Sequence, residues 1–179
     1  VYIYDPVAGG AALFVIDTAA WKLAILVDPA TGELRLATGS NDGKVRIFDP
    51  VAGGEALLVI VVGVGEVEAL VVFEDLATGA PRLACGSGDG KVRVFDPVTG
   101  GEALIVLEVG EEVKALAVFI DPATGAPQLV CASGKKVLVF DPVVGGDALL
   151  VLDISSEALA IFTEPATGAP RLACGYDDE

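Results

Sequence analysis

The sequence predicts an all-β fold built from four copies of one four-stranded antiparallel unit. Three observations lead there. The 179 residues repeat with a period of about 45. Each period holds four short apolar runs, and turns rich in Gly and Pro separate those runs.

The period is read from several markers at once. Asp-Pro recurs at Asp5, Asp49, Asp96 and Asp141, and each is followed by a Gly-Gly pair starting at Gly9, Gly53, Gly100 and Gly145. Ala-Thr-Gly recurs from Ala30, Ala77, Ala123 and Ala166. Lys44–Asp49 returns as Lys91–Asp96 with Val94 in place of Ile47. A repeat of this length suits either a four-stranded blade or a pair of helices. The 22 Gly and 10 Pro leave no room for long helices, so the strand reading stands.

In chain order, the first two strands are expected at Val1–Asp5 and Ala11–Ile16. Three complete units follow over roughly 20–62, 66–109 and 112–153, and 156–179 together with 1–16 makes the fourth of a single domain. Leu57–Val62 is apolar on both faces, as a strand sandwiched between sheets can be. Lys91–Asp96 leads through the turn Pro97–Gly101 to Ala103–Val109. Val113–Ile120 then leads through Asp121–Pro127 to Gln128–Ser133. These runs are rich in Val, Ile, Leu and Phe, which favour strands. Pro fixes φ and Gly supplies positive φ, so the turns stop any helix. Asn41-Asp42-Gly43 and Gly88-Asp89-Gly90 are tight hairpin turns. The last two strands are expected at Ala158–Thr163 and Arg171–Tyr176.

Composition narrows the function. Hydrophobic residues make up 53% and charged residues 21%, which excludes disorder. The most apolar stretch, Ala56–Gly65, ends at Glu66 after ten residues, whereas a spanning helix needs roughly 20. Eleven Lys and Arg against 26 Asp and Glu give a net charge of −15, the wrong sign for nucleic acid or anionic lipid. Three cysteines make no disulfide framework, and Val1–Pro6 has no basic segment leading into an apolar core. Both point to a cytoplasmic protein.

Leu83–Asp96, Leu-Ala-Cys-Gly-Ser-Gly-Asp-Gly-Lys-Val-Arg-Val-Phe-Asp, resembles the core signature of the WD-repeat β-propellers, with Phe95 where the family carries Trp. Leu36–Asp49 resembles it equally, and Leu129–Asp141 is a shortened copy without the turn Asp. The likeness covers essentially the whole chain. It implies a β-propeller of four four-stranded blades, with strands lettered a to d outward from the channel. The chain has no His, so the family's His–Ser/Thr–Asp–Trp hydrogen-bond network is not expected.

On that lettering the N-terminal strands are c and d, and the C-terminal strands are a and b. Placing Tyr176–Glu179 before Val1–Asp5 rebuilds a b–c hairpin short of one Lys, so each end supplies half of the fourth blade. Two closures remain open. The chain can close on itself as four blades, which loop-closure entropy favours. It can instead dimerise head to tail into an eight-bladed ring, which the blade geometry of the family favours.

Candidate chemistry is sparse. Gly86–Val92 lacks the spacing, the Ser or Thr and the following helix of a phosphate loop. Cys85, Cys131 and Cys174 share one repeat position and are held apart around a ring, and no His is present to activate them, so no metal site, cofactor or catalytic residue is assigned. Carboxylates at Asp17, Glu66, Glu68, Glu108, Glu111, Glu112, Asp153 and Glu157 precede or begin inner strands and would ring one channel mouth. Glu66, Glu68, Glu111, Glu112, Asp153 and Glu157, with Trp21 beside them as a stacking platform, are the binding candidates. These repeated acids lack the unlike groups that catalysis needs. The expected function is therefore a non-catalytic scaffold or protein-binding propeller, with a protein partner or self-association through blade completion. A hydrolase or lyase using mouth carboxylates, or cation binding there, is the alternative. Absent His and Met and regular repeats also fit an engineered repeat protein with no evolved ligand.

Overall fold

The computed structural model describes residues 1–176, and every ordered element in them is a strand. Three four-stranded antiparallel sheets lie between two two-stranded ones. The first pair is β1 (Tyr2–Ile3) and β2 (Phe14–Val15). The first full blade is β3 (Lys22–Val27), β4 (Leu34–Gly39), β5 (Lys44–Phe48) and β6 (Leu58–Val61). The second is β7 (Val67–Asp75), β8 (Ala80–Ser87), β9 (Lys91–Phe95) and β10 (Ile105–Glu108). The third is β11 (Val113–Ile120), β12 (Pro127–Ser133), β13 (Lys136–Phe140) and β14 (Leu150–Leu152). The final pair is β15 (Ala158–Thr163) and β16 (Pro170–Gly175). The strands follow the sequence expectation closely, except that β1 and β2 are only two residues each.

Register repeats from blade to blade. Leu36, Leu83 and Leu129 lie opposite Phe48, Phe95 and Phe140 across the second and third strands. Each Phe is nearly fully buried. The inner strands β3, β7, β11 and β15 pack on one another in that order. Val67 and Val113 begin β7 and β11 with a bulge, and each fits over a glycine of the preceding blade. A Cβ on Gly39 would lie 2.6 Å from Val67 Cγ1, and one on Gly86 would lie 2.4 Å from Val113 Cγ1. No side chain larger than hydrogen fits there unless the blades separate.

Two sets of turns hold the blades in shape. After each third strand, the Asp-Pro carboxylate accepts two backbone N–H groups: Asp49 Oδ1 from Val51 and Ala52 at 2.8 Å, and Asp96 Oδ1 from Val98 at 2.8 Å and Thr99 at 3.0 Å. Asp5 and Asp141 do the same. After each first strand, Asp28 and Asp75 cap a four-residue turn and also meet Arg35 and Arg82 at 3.4 and 3.3 Å. Glu164 meets Arg171 in the same way.

These contacts have a titration consequence. The N–H donors of Ala8 and Ala52 hold Asp5 and Asp49 below the ordinary carboxylate range, and the Thr78 hydroxyl does so for Asp75. At Asp96 partial burial pushes upward, but the N–H donors of Thr99 and Val98, the Thr99 hydroxyl and the Arg82 charge together outweigh it. A carboxylate lowered on folding stabilises the fold above its unfolded pKa of about 3.9, and that contribution is lost as pH falls through the folded value. Thermal stability should therefore be level from about pH 8 to 5 and drop below about pH 4. A melting temperature that fell already between pH 7 and 5 would contradict this.

Closure differs from the sequence expectation. Among the described residues, β1 pairs only with β2 and β16 only with β15, so the b–c hairpin between the ends is not formed within one chain. Asp177, Asp178 and Glu179, which that hairpin would place in its turn, lie outside the described residues. The N-terminal pair packs on the first blade, where Ile16, Leu36 and Phe48 form a small core with Val1, Ile3 and Phe14. The C-terminal pair packs on the third blade through Leu159, Ile161, Leu172 and Cys174. Each end is thus anchored to its own neighbour, and the five sheets form an open series.

Candidate functional site

The candidate acids sit where the inner strands begin. Glu66 and Glu68 flank Val67 at the start of β7, and Glu112 precedes Val113 at the start of β11. With Val64, Gly65, Gly88 and Asp89 they line a hollow of about 470 Å³. Partial burial pushes the Glu68 carboxyl up, and the Glu112 and Glu66 charges add to the shift. The acids are not alone. Lys22 and Lys114 both act on Glu68, and Lys114 Nζ lies 2.7 Å from Glu112 Oε2. Glu112, then Glu68 and Glu157, raise the Lys114 pKa. Acids and lysines thus lie together where β3, β7 and β11 begin. The sequence expectation covers the acids and leaves out Lys22 and Lys114, although Lys114 stands at the repeat position of Glu68.

The other candidates do not join this cluster. The Glu111 carboxylate lies over Gly134, and its backbone carbonyl accepts the Ser133 hydroxyl at 2.7 Å. Asp153 is exposed beyond β14. Trp21 is 69% exposed, and its backbone N–H donates to the Gly39 carbonyl. Among the described residues no group of three or more Cys, Asp or Glu is placed to hold a metal ion. Cys85 and Cys131 are buried, and burial pushes both thiols up, that of Cys131 to about 12.

A side-chain network that sequence reading missed sits in the hairpin turns. Arg93 Nη2 meets Asp89 Oδ2 at 2.7 Å, and Nη1 donates to Asp89 Oδ1 at 3.1 Å and Ser87 Oγ at 3.2 Å. The Ser87 hydroxyl in turn donates to Asp89, whose carboxylate also accepts the Lys91 N–H. Ser40, Asp42 and Arg46 repeat the arrangement in the first blade, where Arg46 and Ser40 hold Asp42 far below the ordinary range. The guanidinium thus supplies the donors of a Ser–Asp lock without any imidazole. Its signal is present as Ser-x-Asp-x-x-x-Arg at Ser40 and Ser87. The third blade has Leu138 at the Arg position and no such lock.

Because Glu68 is crowded by like charge and partly buried, Glu68→Gln should raise the melting temperature by up to about 2 °C. A fall of similar size would show that the Lys22 and Lys114 attractions dominate.

Blades of four antiparallel strands, stacked through their inner strands, define a β-propeller. Solved structures carry the same fold. Saccharomyces cerevisiae Sqt1 is 17% identical with a TM-score of 0.64, over 83% of this chain and 41% of its own. The computationally designed Ika8 is 24% identical with a TM-score of 0.62, over 91% of this chain and 48% of its own. The computationally designed Ika4 is 23% identical with a TM-score of 0.64, over 92% of this chain and 98% of its own. The chain thus spans less than half the length of Sqt1 and Ika8. No family model and no curated protein matches it.

Proposed function

We propose that this chain is a non-catalytic propeller scaffold that works through its surfaces and self-associates by blade completion in a cytoplasmic setting. One observation carries the reading: the two end sheets are complementary halves of one blade, strands c and d at one end and a and b at the other. The polar side chains support it. Repeated carboxylates are engaged in turn caps and locks, and Glu112 is held in an ion pair with Lys114. Regular repeats, the absence of His and Met, and the likeness to two designed propellers fit a frame shaped for geometry rather than for one ligand.

Light scattering on the 179-residue chain at micromolar concentration tests self-association. The expected mass is twice 18.2 kDa. A mass of 18.2 kDa that persists as concentration rises overturns the reading.

A further inference from the structure

Three sets of residues are exposed here although their repeat equivalents are covered. On the first blade, Leu23 and Ile25 of β3 are each 53% exposed, whereas Leu70 and Val72 at the same positions of β7 pack into the joint with the blade before. On the C-terminal pair, Phe162 is 54% exposed, whereas the equivalent Phe73 is 6% exposed. Ala173 is likewise exposed, while its equivalent Ala84 is fully buried. On the N-terminal pair, Tyr4 is 54% exposed at the position of Phe48, Phe95 and Phe140.

The exposed sets belong to one missing joint. Ala69, Phe73 and Ala84 of the second blade cover Leu116 and Val118 of the third. Ala158, Phe162 and Ala173 are their counterparts on β15 and β16, and Leu23 and Ile25 are the counterparts of Leu116 and Val118. The open face of β3 is also continuous with an interface already formed, since Leu36, which lies opposite Ile25, is covered together with Phe48 by the N-terminal pair.

Building on the self-association proposed above, we infer that a second copy of this chain supplies the occupant, with β16 of one copy adding to β1 of the other in the register of the complete blades. That register is Leu83 opposite Phe95, Ala84 opposite Val94, Cys85 opposite Arg93 and Gly86 opposite Val92. Carried over, Leu172 lies opposite Tyr4 of the second copy, Ala173 opposite Ile3, Cys174 opposite Tyr2 and Gly175 opposite Val1. The face of Phe162 and Ala173 then covers Leu23 and Ile25 of the second copy. Two such joints related by a twofold axis close an eight-bladed ring, with main-chain bonds and side-chain packing both engaged.

Cross-linking with single cysteines tests the joint. Directly opposed antiparallel residues lie about 4.5–5.5 Å apart, within disulfide reach. One chain carries Ile3→Cys and the other Ala173→Cys, both with Cys174→Thr, the residue that Thr38 places there in the first blade. Mixing the two under mild oxidation should give a disulfide-linked pair that neither forms alone. Tyr2→Cys mixed with Ala173→Cys should give a yield at least about tenfold lower, because the register is off by one. A chain with both Ile3→Cys and Ala173→Cys that links only internally, as an 18.2 kDa species, overturns the inference in favour of closure within one chain. A native mass of twice 18.2 kDa with no cross-link in the mixture overturns the joint while leaving self-association standing. Leu23→Glu provides a second measurement. Its side chain is largely exposed in the single chain, so the fold should persist, while association weakens at least about tenfold because a charge enters the covered face. Unchanged association of a folded Leu23→Glu chain overturns the inference as well.

Discussion

Deleting residues 1–16 should leave a chain that aggregates or loses its cooperative unfolding transition. The deletion strips Val1, Ile3, Phe14 and Ile16 from Leu36 and Phe48, which are now 3% and 4% exposed. It also uncovers that side of β4 and β5 in the first blade, and open apolar sheet faces invite non-specific pairing. Size-exclusion chromatography and thermal melts followed by circular dichroism would measure both effects. A truncated chain that eluted as one sharp species with an unchanged melting temperature would show that the terminal pair is dispensable.

Phe95→Ala should be the most damaging single substitution in the middle of the molecule. Phe95 is 1% exposed and sits in the core shared by the first two blades, against Leu83, Cys85 and Val45 and their neighbours. Removing a buried aromatic ring costs about 3–5 kcal/mol through lost burial and the cavity left behind. In a chain of this size that lowers the melting temperature by roughly 6–20 °C. Val98→Ala on the adjoining turn, where the side chain is 36% exposed, is the matched control and should change little. Near-equal melting temperatures for the two variants would mean that the blade joint tolerates a void the size of a phenyl ring.

The strands were legible because the repeat states each of them several times. Lys91–Phe95 and Val113–Ile120 begin where the apolar runs begin, and their turns carry Gly and Pro at fixed offsets. What depends on side-chain direction was harder to read. The lock of Ser87, Asp89 and Arg93 is spelled in the sequence, but its meaning requires Arg93 to fold back along the hairpin to the turn. Lys22 and Lys114 escaped notice because their charges matter only once neighbouring inner strands bring them against Glu68 and Glu112. The state of the ends was the least legible. Complementary halves at Val1–Asp5 and Arg171–Tyr176 say which strands fit, not whether the fitting strand comes from the same chain.

The glycine contacts also carry a mechanical meaning. Val67 over Gly39 and Val113 over Gly86 make the same contact at the first two joints. At the next joint the repeat places Ala132 and Ser156 in those roles, a larger residue facing a smaller one, which keeps the combined thickness similar. How closely neighbouring blades approach is therefore set by single facing pairs, Gly with Val at two joints and Ala with Ser at the third. A methyl added at Gly86 would act as a shim, widening one step of the arc and changing how many blades fill a full turn.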